Sequence, residues 1–329
     1  MALGRTITRR SVLSGGLGLA AAGALSSPSV AQASWPTKAV RVVVPYAAGG
    51  GADTLSRLLF AHLQEALGQS FIIDNRGGGG GTIGAGAAAK AAPDGYTVLH
   101  DATAFSINPA LLPALPYDSA KDFVPVFLAG VVPNLLVVNP SVPQATVAEI
   151  IAAAKAGNGL DWASSGNGTV QHLSMELFRA QAGIKLNHIP YRGGAPALND
   201  MIGGHVKYMF SNAAASTPIV LSGSLKAIAH TGQGRLASLP NVPPVSDTLP
   251  GFVTHEWNGV FLPAGTPKDI VDRLNAALNA AIAAKTVVER MEQLSVTARA
   301  NTPAEFASFV ATETERWTKV IGENNIKSE

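Results

Sequence analysis

Chemistry in this chain is concentrated where glycine, hydroxyl and amide residues stand between an apolar run and a helix-forming run. Tyr46-Ala47-Ala48-Gly49-Gly50-Gly51-Ala52-Asp53-Thr54 follows the β-branched Val42-Val43-Val44-Pro45. A valine run with so little polar interruption reads as a buried strand. The glycines let the backbone turn sharply and expose N–H groups. Asp53 and Thr54 are candidate caps for a helix whose Leu55, Leu58, Leu59 and Leu63 share one face. Strand, glycine turn and helix N-terminus together make an anion site, with free donors and the positive end of the helix dipole. Ala163-Ser164-Ser165-Gly166-Asn167-Gly168-Thr169 repeats the construction with hydroxyls and an amide. It is either a second anion loop or only a capped strand-to-helix turn; two such loops in corresponding half-domains argue for one anion held between them.

Other constellations carry less. Gly79, Gly81 and Gly84 form a G-x-G-x-x-G match, with Asp101 near the offset of a ribose-binding carboxylate. An exported, cofactor-dependent oxidoreductase using the Gly77–Gly84 loop is therefore an alternative. Against it, the five consecutive glycines from Gly77 to Gly81 generate the match almost by themselves. No G-x-S-x-G elbow is present, and histidines such as His62, His172 and His205 show no H-E-x-x-H spacing. His172 falls in the first turn of the helix after the second loop, a candidate to face a cleft. In Tyr191-Arg192-Gly193-Gly194, Arg192 either adds a formal charge to the site or sits solvated. Tyr46 either stacks on a ligand or packs at its strand end.

The elements that must position these loops alternate strand and helix, which argues for parallel sheet. Strands are expected at Val40–Pro45, Phe71–Ile73 and Tyr96–His100, with helices at Thr54–Leu67 and Gly84–Lys90 between them. Phe127–Val138 reads as a long apolar strand able to carry the chain from one domain to another. The pattern then restarts. Helix Thr146–Ala156, with Glu149 completing a capping box, precedes strand Leu160–Ser164 and helix Val170–Ala182. Strand Asn187–Pro190, helix Ala195–Ile202 and strands Val206–Phe210 and Leu225–His230 follow. Glu256–Leu262 is an apolar strand leading back, and Lys268–Ala284 and Thr302–Ile321 are amphipathic helices, the latter capped by Thr302 with Pro303 behind it. The fold class is α/β: residues 34–133 and 257–329 form one domain, 134–256 a second inserted in it. Ligands in such sheets bind beyond the carboxyl ends of the strands, where both glycine loops lie.

Composition narrows the setting. Arg9-Arg10 precede a small, apolar stretch from Val12 to Leu25 and an Ala31-Gln32-Ala33 cleavage signature. This reads as a signal peptide over 1–33, cleaved after Ala33, either of twin-arginine type or a general secretory signal with two chance arginines, and places the chain in the periplasm. Losing Arg5, Arg9 and Arg10 takes 24 basic residues to 21 against 22 acidic ones, which gives no support for nucleic-acid binding. Zero cysteines exclude a disulfide framework and a thiolate metal site.

Trp35-Pro36-Thr37-Lys38 leading into Val44-Pro45-Tyr46-Ala47-Ala48-Gly49-Gly50-Gly51-Ala52-Asp53 resembles the start of the Bug family, the TctC-like substrate-binding proteins of tripartite tricarboxylate transporters. Asp74-Asn75-Arg76, Pro93-Asp94-Gly95-Tyr96-Thr97, Ser165-Gly166-Asn167-Gly168 with His172-Leu173, His188-Ile189-Pro190-Tyr191-Arg192-Gly193 and Leu262-Pro263-Ala264-Gly265-Thr266-Pro267 match in family order. The resemblance implies a two-domain periplasmic binding fold that closes like a flytrap on a small carboxylate, with no enzymatic activity and no cofactor. It implies a ligand gripped by Tyr46 to Gly50, by Ser164 to Thr169, and by Thr103 and Ala104. Asp53, His172, Tyr191, Arg192 and Asn212 complete the candidate ligand-binding set. The implied partners are the membrane components of the transporter, or a sensor kinase, for a monomeric receptor. Two positions depart from the family: Arg192 stands where Lys is usual, and Ser211-Asn212 stand where an acidic residue often follows the strand. Without that carboxylate an amino-acid ligand loses a partner for its ammonium, which points to a plain or aromatic carboxylic acid.

Overall fold

The structure, a computed structural model, describes Met1 and residues 35–327; the expected signal peptide and its cleavage point lie outside the described residues. The chain runs β1 (Val40–Val44), α1 (Gly51–Leu67), β2 (Phe71–Asn75), α2 (Thr82–Ala89), β3 (Thr97–Ala102), α3 (Ala104–Leu111) and β4 (Phe123–Val138). Next come α4 (Val147–Ala156), β5 (Leu160–Ser164), α5 (Val170–Ala182), β6 (Leu186–Pro190), α6 (Gly194–Ile202), β7 (Tyr208–Asn212), α7 (Ala213–Leu221) and β8 (Lys226–His230). Then β9 (His255–Pro263) leads to α8 (Lys268–Ala283), α9 (Lys285–Gln293) and α10 (Pro303–Glu323).

The strands form one mixed sheet in the order β2-β1-β3-β9-β4-β7-β5-β6, with β8 on β4 as well. Pairing is parallel among β2, β1 and β3 and among β6, β5 and β7. It is antiparallel wherever β4 or β9 takes part. Residues Phe123–Pro133 of β4 lie along β9, whereas Asn134–Val138 lie between β7 and β8. One strand thus belongs to both halves of the sheet. The valines of β1 from Val42 to Val44 are fully buried because helices cover both faces there.

Local differences from the sequence reading have physical causes. Helix α1 starts three residues early, at Gly51, with Gly50 as its cap and no side-chain cap bond; Asp53 is drawn instead to the preceding loop. Glu149 reaches the Ala145 N–H, 2.7 Å away, rather than closing a box with Thr146, while Thr302 and Glu305 do close theirs. Helices α3 and α7 have no counterpart in the sequence reading, since each contains a proline (Pro109, Pro218) and α7 is small and apolar on all sides.

Candidate anion-binding cavity

Five strand ends hand over to five helix starts on one side of the sheet. Gly50 caps α1, Thr103 α3, Thr169 α5, Gly193 α6 and Asn212 α7. All five starts line one cavity, through Gly50 to Ala52, Thr103-Ala104, Thr169 to Gln171, Gly194 and Asn212. Tyr46, Ser165, Ser211 and Glu256 complete its polar wall. The empty space is about 440 Å³ including the mouth, of which the centre of a water molecule reaches about 30 Å³. Among the described residues, no lysine, arginine or histidine lines it. An anion placed there would meet main-chain N–H groups, hydroxyls, amides and the positive ends of helix dipoles.

The first loop is braced from behind. Asp53, buried, accepts from the Gly49 N–H and from Arg57 Nε, each at 2.8 Å, and from Asn75 Nδ2 at 2.9 Å. Burial alone would raise its pKa, but the bonds from Arg57, Gly49 and Asn75 hold it below the usual carboxylate range. Asn75 also donates to the Tyr46 carbonyl at 3.1 Å. Asp53 thus fixes the loop and does not line the cavity; Ala47, Ala48 and Gly49 also lie off its wall, the last two exposed. Tyr46 does line it, and its hydroxyl donates to Asp101 Oδ1 at 2.9 Å. Burial pushes the Tyr46 phenol up, helped by Asp101, and pushes Asp101 up to about 7. Asp101 faces Tyr46 and Gly81.

The second loop is braced by histidines. Ser164, fully buried, pairs through Oγ with His188 Nε2 at 2.6 Å and accepts from the Gly166 N–H at 3.1 Å. His172 accepts from the Gly168 N–H at 3.3 Å, and its ring stacks on His188 with centroids 4.2 Å apart. Burial lowers their pKa values to about 4 for His172 and about 3 for His188, so both rings are neutral at ordinary pH. Thr169 caps α5 by accepting from the His172 N–H and donates to the Gly166 carbonyl at 2.7 Å. Ser165 and Thr169 line the cavity; Ser164, Gly166, Asn167, Gly168 and His172 stand behind or beside it. Tyr191 points away, its hydroxyl on Asp200 at 2.8 Å, and Arg192 is exposed.

The two sides meet backbone to backbone. A Cβ on Gly80 (φ +60°) would run into the Asn167 carbonyl, and Asn108 Nδ2 donates to the Gly80 carbonyl at 3.0 Å. A Cβ on Gly193 (φ +139°) would come within 2.9 Å of Ala47. Gly51 leaves room for the Asn212 carboxamide. Within Gly77–Gly84, Gly80, Gly81 and Gly84 are buried in packed contacts while Gly79 is exposed, so two of the three glycines of the dinucleotide match are covered.

Several wall residues escape the sequence reading. Gly194, Gln171 and Ser211 adjoin recognised motifs and differ from them only in which way they face. Glu256 had a readable signal, as the one acidic residue in the apolar run from Glu256 to Leu262.

Residues 55–326 match the family described as tripartite tricarboxylate transporter family receptor. Protein BugT of Bordetella pertussis is 36% identical over 316 residues, spanning 95% of this chain and 96% of BugT. The structure of R. palustris Rpa4515 with adipate superposes with a TM-score of 0.86 at 35% identity, covering 89% of this chain and 99% of that one. MatC (Rpa3494) from Rhodopseudomonas palustris with bound malate gives 0.83 at 34%, covering 87% and all of that chain. These relatives are binding proteins, and the oxidoreductase alternative finds no support among them. With a periplasmic binding protein fold and a family match across most of its length, the chain belongs to the tripartite tricarboxylate transporter receptor family.

Proposed function

We propose that this protein is a periplasmic receptor that captures a small organic carboxylate in the cavity and delivers it to the membrane components of a tripartite transporter. The convergence of five helix N-termini on a cavity without a basic side chain carries the reading. It is the wall expected for a carboxylate held by dipoles and N–H groups. Relatives that carry adipate and malate support the ligand class. The ligand lies against Tyr46, Gly50, Thr103-Ala104, Ser165 and Thr169, with Asn212 at the wall. The signal peptide is removed after Ala33, and the mature chain acts as a monomer.

Residues 34–133 with 257–329 and residues 134–256 move as two lobes about β4 and β9. The change of partners along β4 at Pro133/Asn134 supports this division. Closure follows from contacts that form only when both lobes touch the ligand.

A thermal-shift screen of mono-, di- and tricarboxylic and aromatic acids tests the reading. Some of them raise the melting temperature, because a ligand at a hundred times its Kd adds about 2.7 kcal/mol. No stabilisation across the whole panel rejects a carboxylate receptor.

A further inference from the structure

We propose that Glu256 makes the cavity selective for acids that carry an ammonium group, binding the ligand's ammonium while the helix N-termini bind its carboxylate. The inference rests on the carboxylate-receptor reading and names the ligand class within it.

Glu256 enters the cavity from β9 and is 6% exposed. Its Oε2 accepts from Gln171 Nε2 at 2.5 Å and its Oε1 from Asn258 Nδ2 at 3.3 Å. With the Asn212 carboxamide on the same wall, three neutral amides act on one carboxylate and set it up as an acceptor. Among the described residues no ion pair includes it, and the acids coupled to it are Asp101 from β3 and Tyr46 at the end of β1. Burial raises its pKa, and the Gln171, Asn258 and Asn212 amides oppose the rise.

Buried carboxylates are ordinarily paired with a cation, because desolvation is otherwise uncompensated. Here the protein supplies none, and the side left open faces the ligand cavity. A ligand ammonium would favour the ionised form of Glu256 and pair with it, whereas a second carboxylate on the ligand would favour its protonated form. Ser211 Oγ, buried on the same wall without a hydrogen-bond partner, is an acceptor for a further ammonium N–H. Ser211 does leave the end of β7 without an acid, but β9 brings one to the same cavity. On this proposal the ligand is an amino acid, where the vacancy at β7 taken alone points to a plain or aromatic acid.

The test uses the mature wild-type protein and three matched sets of acids at pH 7.5. The sets are alanine, lactate and propionate; aspartate, malate and succinate; glutamate, 2-hydroxyglutarate and glutarate. Calorimetric titration is expected to show, in at least one set, the amino acid binding about tenfold or more tighter than its hydroxy and unsubstituted counterparts. Glu256→Gln is expected to erase that preference and Glu256→Asp to restore part of it, with melting curves checking that each variant folds. A wild-type ranking led by hydroxy or unsubstituted acids overturns the proposal and leaves the receptor reading standing, and so does a preference that survives in Glu256→Gln. The wild-type ranking decides even if a variant fails to fold. Failure of all nine acids together with the wider panel overturns both.

Discussion

The main-chain carbonyl of Asn167 occupies the place that a Cβ on Gly80 would need. A glycine run after β2 and the anion loop after β5 therefore touch through their backbones, and Asn108 from α3 secures the contact by donating to the Gly80 carbonyl. Gly193 makes a similar approach to Ala47, which a Cβ on Gly193 would meet at 2.9 Å. Closeness of this kind is available only to glycine, and it makes each contact sensitive to a single added methyl group.

Gly80→Ala should weaken ligand binding about tenfold or more, by calorimetry, while the ligand-free melting temperature falls only modestly. Part of any effect is backbone strain, since φ at Gly80 is +60°, worth about 1 kcal/mol for a residue with a Cβ. Gly251→Ala controls for it, as φ there is +79° and nothing lies within 4 Å of the added carbon. Equal affinity loss in both variants would show that the contact with Asn167 does not govern closure.

Asp53→Ala should cost roughly 2–3 kcal/mol of stability at pH 7, because the Gly49 N–H, Arg57 and Asn75 lose one buried acceptor together. Its pKa is lowered in the folded chain, so the contribution is present above the ordinary carboxylate pKa and is lost as pH falls through the lower folded value. Urea unfolding at pH 7 and at pH 3 should show the wild type and the variant converging in acid. A gap of constant size would rule out the ionised carboxylate as the brace.

Asp101 behaves in the opposite sense. Its folded pKa is pushed up to about 7, by burial first, so the folded state holds a proton that the unfolded chain releases near pH 4. Stability from this group therefore falls as pH rises from about 4 to about 7. Asp101→Asn should gain on the wild type across that window, by at most about 4 kcal/mol at one pKa unit per 1.4 kcal/mol, and run parallel to it above. Parallel curves from pH 5 to 8 would refute the assignment.

His188 is neutral in the fold, with its pKa pushed down to about 3 by burial and by His172. Its contribution is present above the unfolded value near 6.5 and fades as pH falls toward the folded value. His188→Gln should destabilise the protein by about 1–2 kcal/mol at pH 7, through the lost bond to Ser164 and the lost ring stack. By pH 4 the order should be reversed, because the wild type has by then lost about 3 kcal/mol that the variant never had to lose. A deficit that grows in acid would mean that the ring is charged in the folded state.

Short-range chemistry in the sequence determined the strand–helix alternation, both glycine loops and the Thr302 cap. Each depends on neighbours a few residues away. Strand Leu160–Ser164 and helix Val170–Ala182 have the same limits in the fold as in the sequence reading. Helix α7 was illegible because an apolar segment with Pro218 shows no amphipathic period. What tertiary structure alone decided is which residues face the cavity. Thr103 accepts from the Trp257 N–H across 154 residues of chain, and that pairing of β3 with β9 brings Glu256 beside Gln171 of α5. The sequence identifies loops that can bind an anion. The Glu256 carboxylate on the cavity wall comes from a distant strand, because which wall a side chain faces is set by long-range strand register, which no local pattern encodes.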